Sequence, residues 1–129
     1  GGVYIHASQS EAKVGSFMMK GSAIVTPSTD NAKGNNDVYL HHEDNYKASI
    51  IVIGALTTSS TTAARLTMKD LGAYPGIQHG YIEGRVVVEG GDIEHSYDLK
   101  PTDVSKFRVT PPQNWIVVKN GNAGELKKN

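Results

Sequence analysis

The chain has 129 residues, no cysteine, and 13 Lys plus Arg against 13 Asp plus Glu. That length suits one domain with a sizeable core. The missing cysteines exclude a disulfide framework, thiol catalysis and cysteine-based zinc sites. The balanced charge lacks the basic surplus of a nucleic-acid binder, so nucleic acid is not an expected partner.

No apolar run approaches the roughly 20 residues that cross a bilayer as a helix, so no membrane span is expected. No signal-peptide pattern opens the chain. It starts Gly1-Gly2 without Met, which reads as an end left by cleavage, either in maturation or on removal of a tag. Glu83, Glu89, Asp92, Glu94, Asp98 and Asp103 make one acidic stretch, and Lys119, Lys127 and Lys128 a basic end. Two complementary patches for head-to-tail contact are one reading. Solvated faces are the preferred one, because surface charges are weak and screened.

Val3 to Ala7 alternates apolar and polar residues as a short strand does. Ser8 to Lys20 has two readings. Ser10 and Glu11 suit a helix start with Val14, Phe17 and Met18 on one face, but Gly15 is poor in a helix interior. A strand through Phe17 to Val25, closed by Pro27, is slightly preferred. Pro27 to Asp37 is a loop, rich in turn-forming residues. Val38 to His42 reads as a strand, and His41 to Asn45 as the turn after it.

Ala48 to Leu56 is the longest apolar run, rich in β-branched residues and flanked by polar ones. It reads as a strand buried on both faces and central to the fold. Thr57 to Thr62 is a hydroxyl tract. Ala63 to Leu71 reads as a helix capped by Thr61 or Thr62, or, by weak preference, as a strand over Arg65 to Lys69. Gly72 to Gly80 is a loop and Tyr81 to Glu89 a strand. Ile93 to Leu99 shows the cleanest period-2 alternation, predicted to pair with Arg85–Glu89 as a hairpin across Gly90-Gly91-Asp92. Lys100 to Asp103 reads as a turn, and Lys106 to Val109 and Trp115 to Val118 are the last strands. Asn120 to Asn129 reads as a flexible tail after a domain over 1–119.

Seven to nine strand candidates with turn signals between them predict a mainly β fold. The expected form is a single-domain antiparallel β-sandwich or barrel, with at most one short helix.

His41, His42, Glu43 and Asp44 are the nearest approach to a metal site. Neighbours on a strand point to opposite faces, so His41 with Glu43 faces one way and His42 with Asp44 the other. The run supplies two ligands at best, and His6, His79 or His95 would have to complete the site. A solvated polar turn is the preferred reading. Glu83, Glu89 and Glu94 form no pair placed for acid–base work. Nucleophile elbows, phosphate loops and metalloprotease motifs are absent. Tyr46, Tyr74 and Tyr81, with Trp115, are the candidate ligand-binding aromatics, suited to a sugar platform. The only Trp of a small β domain more often packs in the core.

The expected function is a non-enzymatic structural or assembly subunit of a fimbria, pilus or virion-type particle. It self-associates through sheet edges and termini, is extracellular, and needs no cofactor. The expected partners are copies of itself or other protein subunits, with a glycan as a further one. The alternatives are a carbohydrate-binding β module and a small enzyme with a metal at His41 or His42.

Overall fold

The computed structural model describes residues 2–7, 15–27, 37–42, 47–69, 80–111 and 113–129. In chain order the elements are β1 (Val3–His6), β2 (Gly15–Gly21), β3 (Val38–His41), β4 (Ala48–Leu56), β5 (Ala64–Met68), β6 (Val86–Gly90), α1 (Pro101–Val104), β7 (Phe107–Val109), β8 (Trp115–Asn120) and β9 (Ala123–Lys128). The fold is mainly β, as expected.

The strands alternate between two sheets. Sheet A has the order β1-β3-β5-β7 and sheet B the order β2-β4-β6-β9-β8. Every pair in sheet A is parallel, and so are β2–β4 and β4–β6. Only the terminal hairpin runs the other way: β9 lies antiparallel between β6 and β8. The chain therefore winds in coils that add one strand to each sheet per turn, the arrangement of a two-sheeted β-solenoid. This corrects the antiparallel sandwich or barrel. The physical reason lies in the connections. Parallel neighbours cannot be joined by tight hairpins, so each must be reached by a long excursion. Here the excursion visits the opposite sheet.

The inner faces of the two sheets share one core. Ile5, Val38, Leu40, Leu66, Met68, Phe107 and Val109 from sheet A meet Met19, Ile50, Val52, Val88 and Leu126 from sheet B. The register stacks like on like. Ile5 pairs with Leu40 and Leu40 with Met68, while Phe17 pairs with Ile50 and Ile50 with Val88. β4 occupies the range expected for the central strand. Ala48 to Val52 are buried without a break, because β4 has a neighbour on each side and material over both faces. Ile53 on the same strand is only half-buried. At the turn from β1 to β2 the backbones nearly touch: a Cβ on Gly15 would come within 2.5 Å of the His6 carbonyl oxygen.

Some local readings hold and others change. Residues 15–21 form a strand, as preferred, and so do 64–68. Ile93 to Leu99 is not a strand and makes no hairpin. Asp92 Oδ1 accepts the backbone N–H groups of Glu94 and His95, at 2.9 and 2.7 Å, and leaves Ile93 fully exposed. Beyond it the Asn122 side chain takes the place of a partner strand. Its oxygen accepts the Leu99 N–H at 2.6 Å, and its amide donates to the carbonyls of Gly90 and Tyr97, at 2.6 and 3.0 Å. The alternation still turns Leu99 inward. The expected tail from Asn120 instead carries β9, whose Leu126 is in the core.

The one helix among the described residues, α1, falls where a turn was read. Asp103, in its first turn, is buried. Its carboxylate accepts the N–H of Leu56 at 3.0 Å, the N–H of Lys100 at 3.0 Å and the Tyr97 hydroxyl at 2.5 Å. Burial first, and the hydrogen bond to Asp103 second, push the Tyr97 hydroxyl up to about 12.

Ile50→Ala and Leu66→Ala, which empty fully buried positions, are each expected to cost about 2–5 kcal/mol. Ile53→Ala should cost less. Urea unfolding of the three variants checks this, and a cost at Ile50 no larger than at Ile53 would contradict the shared core.

Candidate functional site

The outer face of sheet A carries the densest polar chemistry among the described residues. Parallel, in-register pairing sets it out in rungs that run across the strands. One rung pairs Tyr4 with Tyr39 and Tyr39 with Thr67. The next pairs His6 with His41. Strands about 4.8 Å apart hold such partners at stacking distance. The Tyr4 and Tyr39 rings are 5.8 Å apart and 16° from parallel, and the His6 and His41 rings 4.4 Å apart at 16°.

A buried polar cluster centres on Asp37, next to the start of β3. Its Oδ1 accepts Arg65 Nε at 2.6 Å. The hydroxyls of Thr67 and Thr110 converge on its Oδ2. Its backbone carbonyl accepts the Val3 N–H at 3.0 Å. Asp37 thus touches β1, β5 and the end of β7 from its own place beside β3. Asp37, Thr67 and Thr110 are essentially inaccessible, so water supplies none of these contacts. A buried charge persists only when paired and hydrogen-bonded, and this one is both.

The structure brings His6 to His41, the help that a shared ion at His41 needs, but separates His41 from His42. His41 Nδ1 lies 3.0 Å from the Tyr4 hydroxyl on the outer face of sheet A. His42 Nε2 donates to the Val86 carbonyl of β6 at 3.1 Å, which fixes that nitrogen as protonated. Burial, and then the Arg85 charge, lower the His42 pKa to about 4. His95 sits with Asp92 in the loop after β6, 2.9 Å from its carboxylate. No group of three or more His, Cys, Asp or Glu placed to hold a metal occurs among the described residues. His79, Tyr46 and Tyr74 lie outside the described residues.

Tyr81 and Trp115 do meet. Their rings are 6.1 Å apart and 27° from parallel, both half-buried. The Tyr81 hydroxyl accepts the Met68 N–H at 3.2 Å. This Tyr therefore closes the end of β5 and packs beside the core. The acidic residues are dispersed. Glu83 accepts the Lys128 N–H, and Glu89 takes Lys47 and Ser49 at 2.8 and 2.7 Å.

Tyr4, Tyr39, His6, Asp37 and Arg65 were not singled out together from the sequence. The signal was present as the paired tripeptides Val3-Tyr4-Ile5 and Val38-Tyr39-Leu40, each followed by His. It becomes legible once the two segments are known to lie in register. No family model, no curated protein and no solved structure matches the chain. No helix among the described residues is long and apolar enough to cross a membrane.

Two outcomes follow. Asp37→Ala removes the carboxylate that ties β5 to the end of β7 and is expected to cost about 3–5 kcal/mol, the range for breaking a buried ion pair. Replacing Asp37 and Arg65 together by apolar residues should cost less. A change below about 1 kcal/mol in urea unfolding of Asp37→Ala would show the cluster to be dispensable.

His42 is neutral in the folded protein, whereas unfolded chains bind its proton near 6.5. Its contribution is present above that value and is lost as pH falls from about 6.5 towards 4. The size is about 3 kcal/mol. His42→Gln should flatten the fall in stability across this window, and an unchanged slope would contradict the assignment.

Proposed function

We propose that the protein is a non-enzymatic structural module that assembles into a larger array, of the kind found in surface appendages and virion-type particles. One observation carries the reading. Among the described residues, both sheets finish at one end of the solenoid on a parallel edge, β1 in sheet A and β2 in sheet B. Val3 and Ala7 give their N–H groups inward, to Asp37 and His41. By the alternation of a strand, Tyr4 and His6 direct theirs to the open side. Such an edge is a template for a further strand. Because both sheets present one together, the fitting partner is another coil with the same two-strand geometry. A second copy of this chain is the partner of choice.

The opposite end differs. There the antiparallel β8–β9 hairpin gives sheet B one strand more than sheet A, so the two sheets do not finish level. Addition at the β1–β2 end is therefore favoured. Exposed hydroxyls at Thr57, Ser59 and Thr61 on the corner between β4 and β5 suit an extracellular setting.

Light scattering coupled to size exclusion, with negative-stain microscopy of the same sample, tests this. Masses above the monomer that rise with concentration are expected. His6→Pro, which deletes an outward N–H without losing a ladder bond, should return the monomer. A monomer at every concentration would overturn the proposal.

A further inference from the structure

The outer face of sheet A also gathers donors at one place. Lys69 follows β5 and gives its N–H to the Leu40 carbonyl at 2.9 Å, which keeps it on the line of His6 and His41. Its ammonium reaches across to the Tyr4 hydroxyl at 3.3 Å and stands 5.5 Å from the centre of the Tyr4 ring. The Tyr4 hydroxyl also meets His41 Nδ1. His6 and Tyr4 are exposed, Tyr4 by 54%, while His41 is 7% exposed beneath them. His41 positions its neighbours, stacking on His6 and holding the Tyr4 hydroxyl. Asp37 lies two rungs away along β3 and is engaged by Arg65, Thr67 and Thr110.

We propose that Lys69, His6 and Tyr4 bind the oxyanion of a sulfated saccharide, a sulfate ester. An ammonium and an imidazole N–H beside a hydroxyl offer charge-assisted hydrogen bonds to oxyanions. The exposed Tyr4 ring offers an apolar face to the C–H side of a sugar. A cavity of about 160 Å³ lined by Gly2, Val3, Tyr4, Asp37 and Tyr39 opens beside the same ring and leaves room for the saccharide body. Nucleic acid fits less well, because the chain carries no net positive charge to gather a phosphate backbone. The inference is independent of assembly. A strand added beside β1 extends the sheet, whereas the saccharide meets side-chain tips above it.

Calorimetric titration with a heparin hexasaccharide, its desulfated counterpart, inorganic sulfate and a DNA duplex tests the site. Binding of the sulfated saccharide, weakened by salt, is expected. Lys69→Gln and His6→Gln should each weaken it about tenfold or more, the loss of one charge-assisted contact. Lys69→Arg should retain it, which separates a lost contact from a misfolded variant. Lys119→Gln with Lys128→Gln, on the distant hairpin, should leave it unchanged.

Equal binding of the desulfated saccharide, or no effect of Lys69→Gln and His6→Gln, would overturn the proposal. Inorganic sulfate binding as tightly would reduce the site to a bare anion site. DNA binding as tightly, with the same dependence on Lys69, would reassign it to nucleic acid. Either result would also overturn the saccharide reading.

Discussion

Asp37 is the residue on which sheet A most depends. Its backbone carbonyl holds β1, and its carboxylate holds Arg65 and Thr67 of β5 and Thr110 beyond β7. A parallel sheet has no tight turns to fix its register, and sliding one strand by a residue turns its whole core face outward. A buried carboxylate beside β3 with partners at fixed places on β5 and just beyond β7 penalises such slips. A slip would strand a charge away from water, at a cost of several kcal/mol. The cluster sits on the outer face, which leaves the space between the sheets to apolar side chains.

The same register explains the chemistry of that face. In-register stacking repeats side chains along the solenoid axis, so a residue type used twice becomes a ladder. Tyr4 and Tyr39, His6 and His41, and Thr67 and Thr110 all arise in this way. Of these, Tyr4 and His6 reach solvent, whereas Thr67 and Thr110 are buried. In the two proposals, assembly draws on backbone groups at the open edge and saccharide binding on side-chain tips of the face, different parts of one scaffold.

Much of the local structure was legible in the sequence. The β-branched run Ala48–Leu56 was placed to the residue, because polar residues, Lys47 and Thr57, flank it on both sides. Such a run is also characteristic of parallel sheets, a meaning that the reading as a sandwich passed over. The coil repeat was hidden by its uneven length. Val38 lies 35 residues after Val3, Leu66 lies 28 after Val38, and Val109 lies 43 after Leu66. No fixed period survives such variation. Ile93–Leu99 misled for another reason: alternation records which side chains face inward, not which strand lies alongside, and here the neighbour is the Asn122 side chain. The site was legible only in pieces. His41 was noticed for its neighbour His42, yet its partner in space is His6, 35 residues earlier in the chain.

A double-mutant cycle between Asp37→Ala and Thr110→Val tests the stacked, parallel arrangement most directly. The two residues are 73 positions apart in the chain and meet only if β3, β5 and β7 lie side by side in this register. The account predicts a coupling energy of about 0.5–3 kcal/mol in urea unfolding. Additive effects of the two substitutions would contradict it.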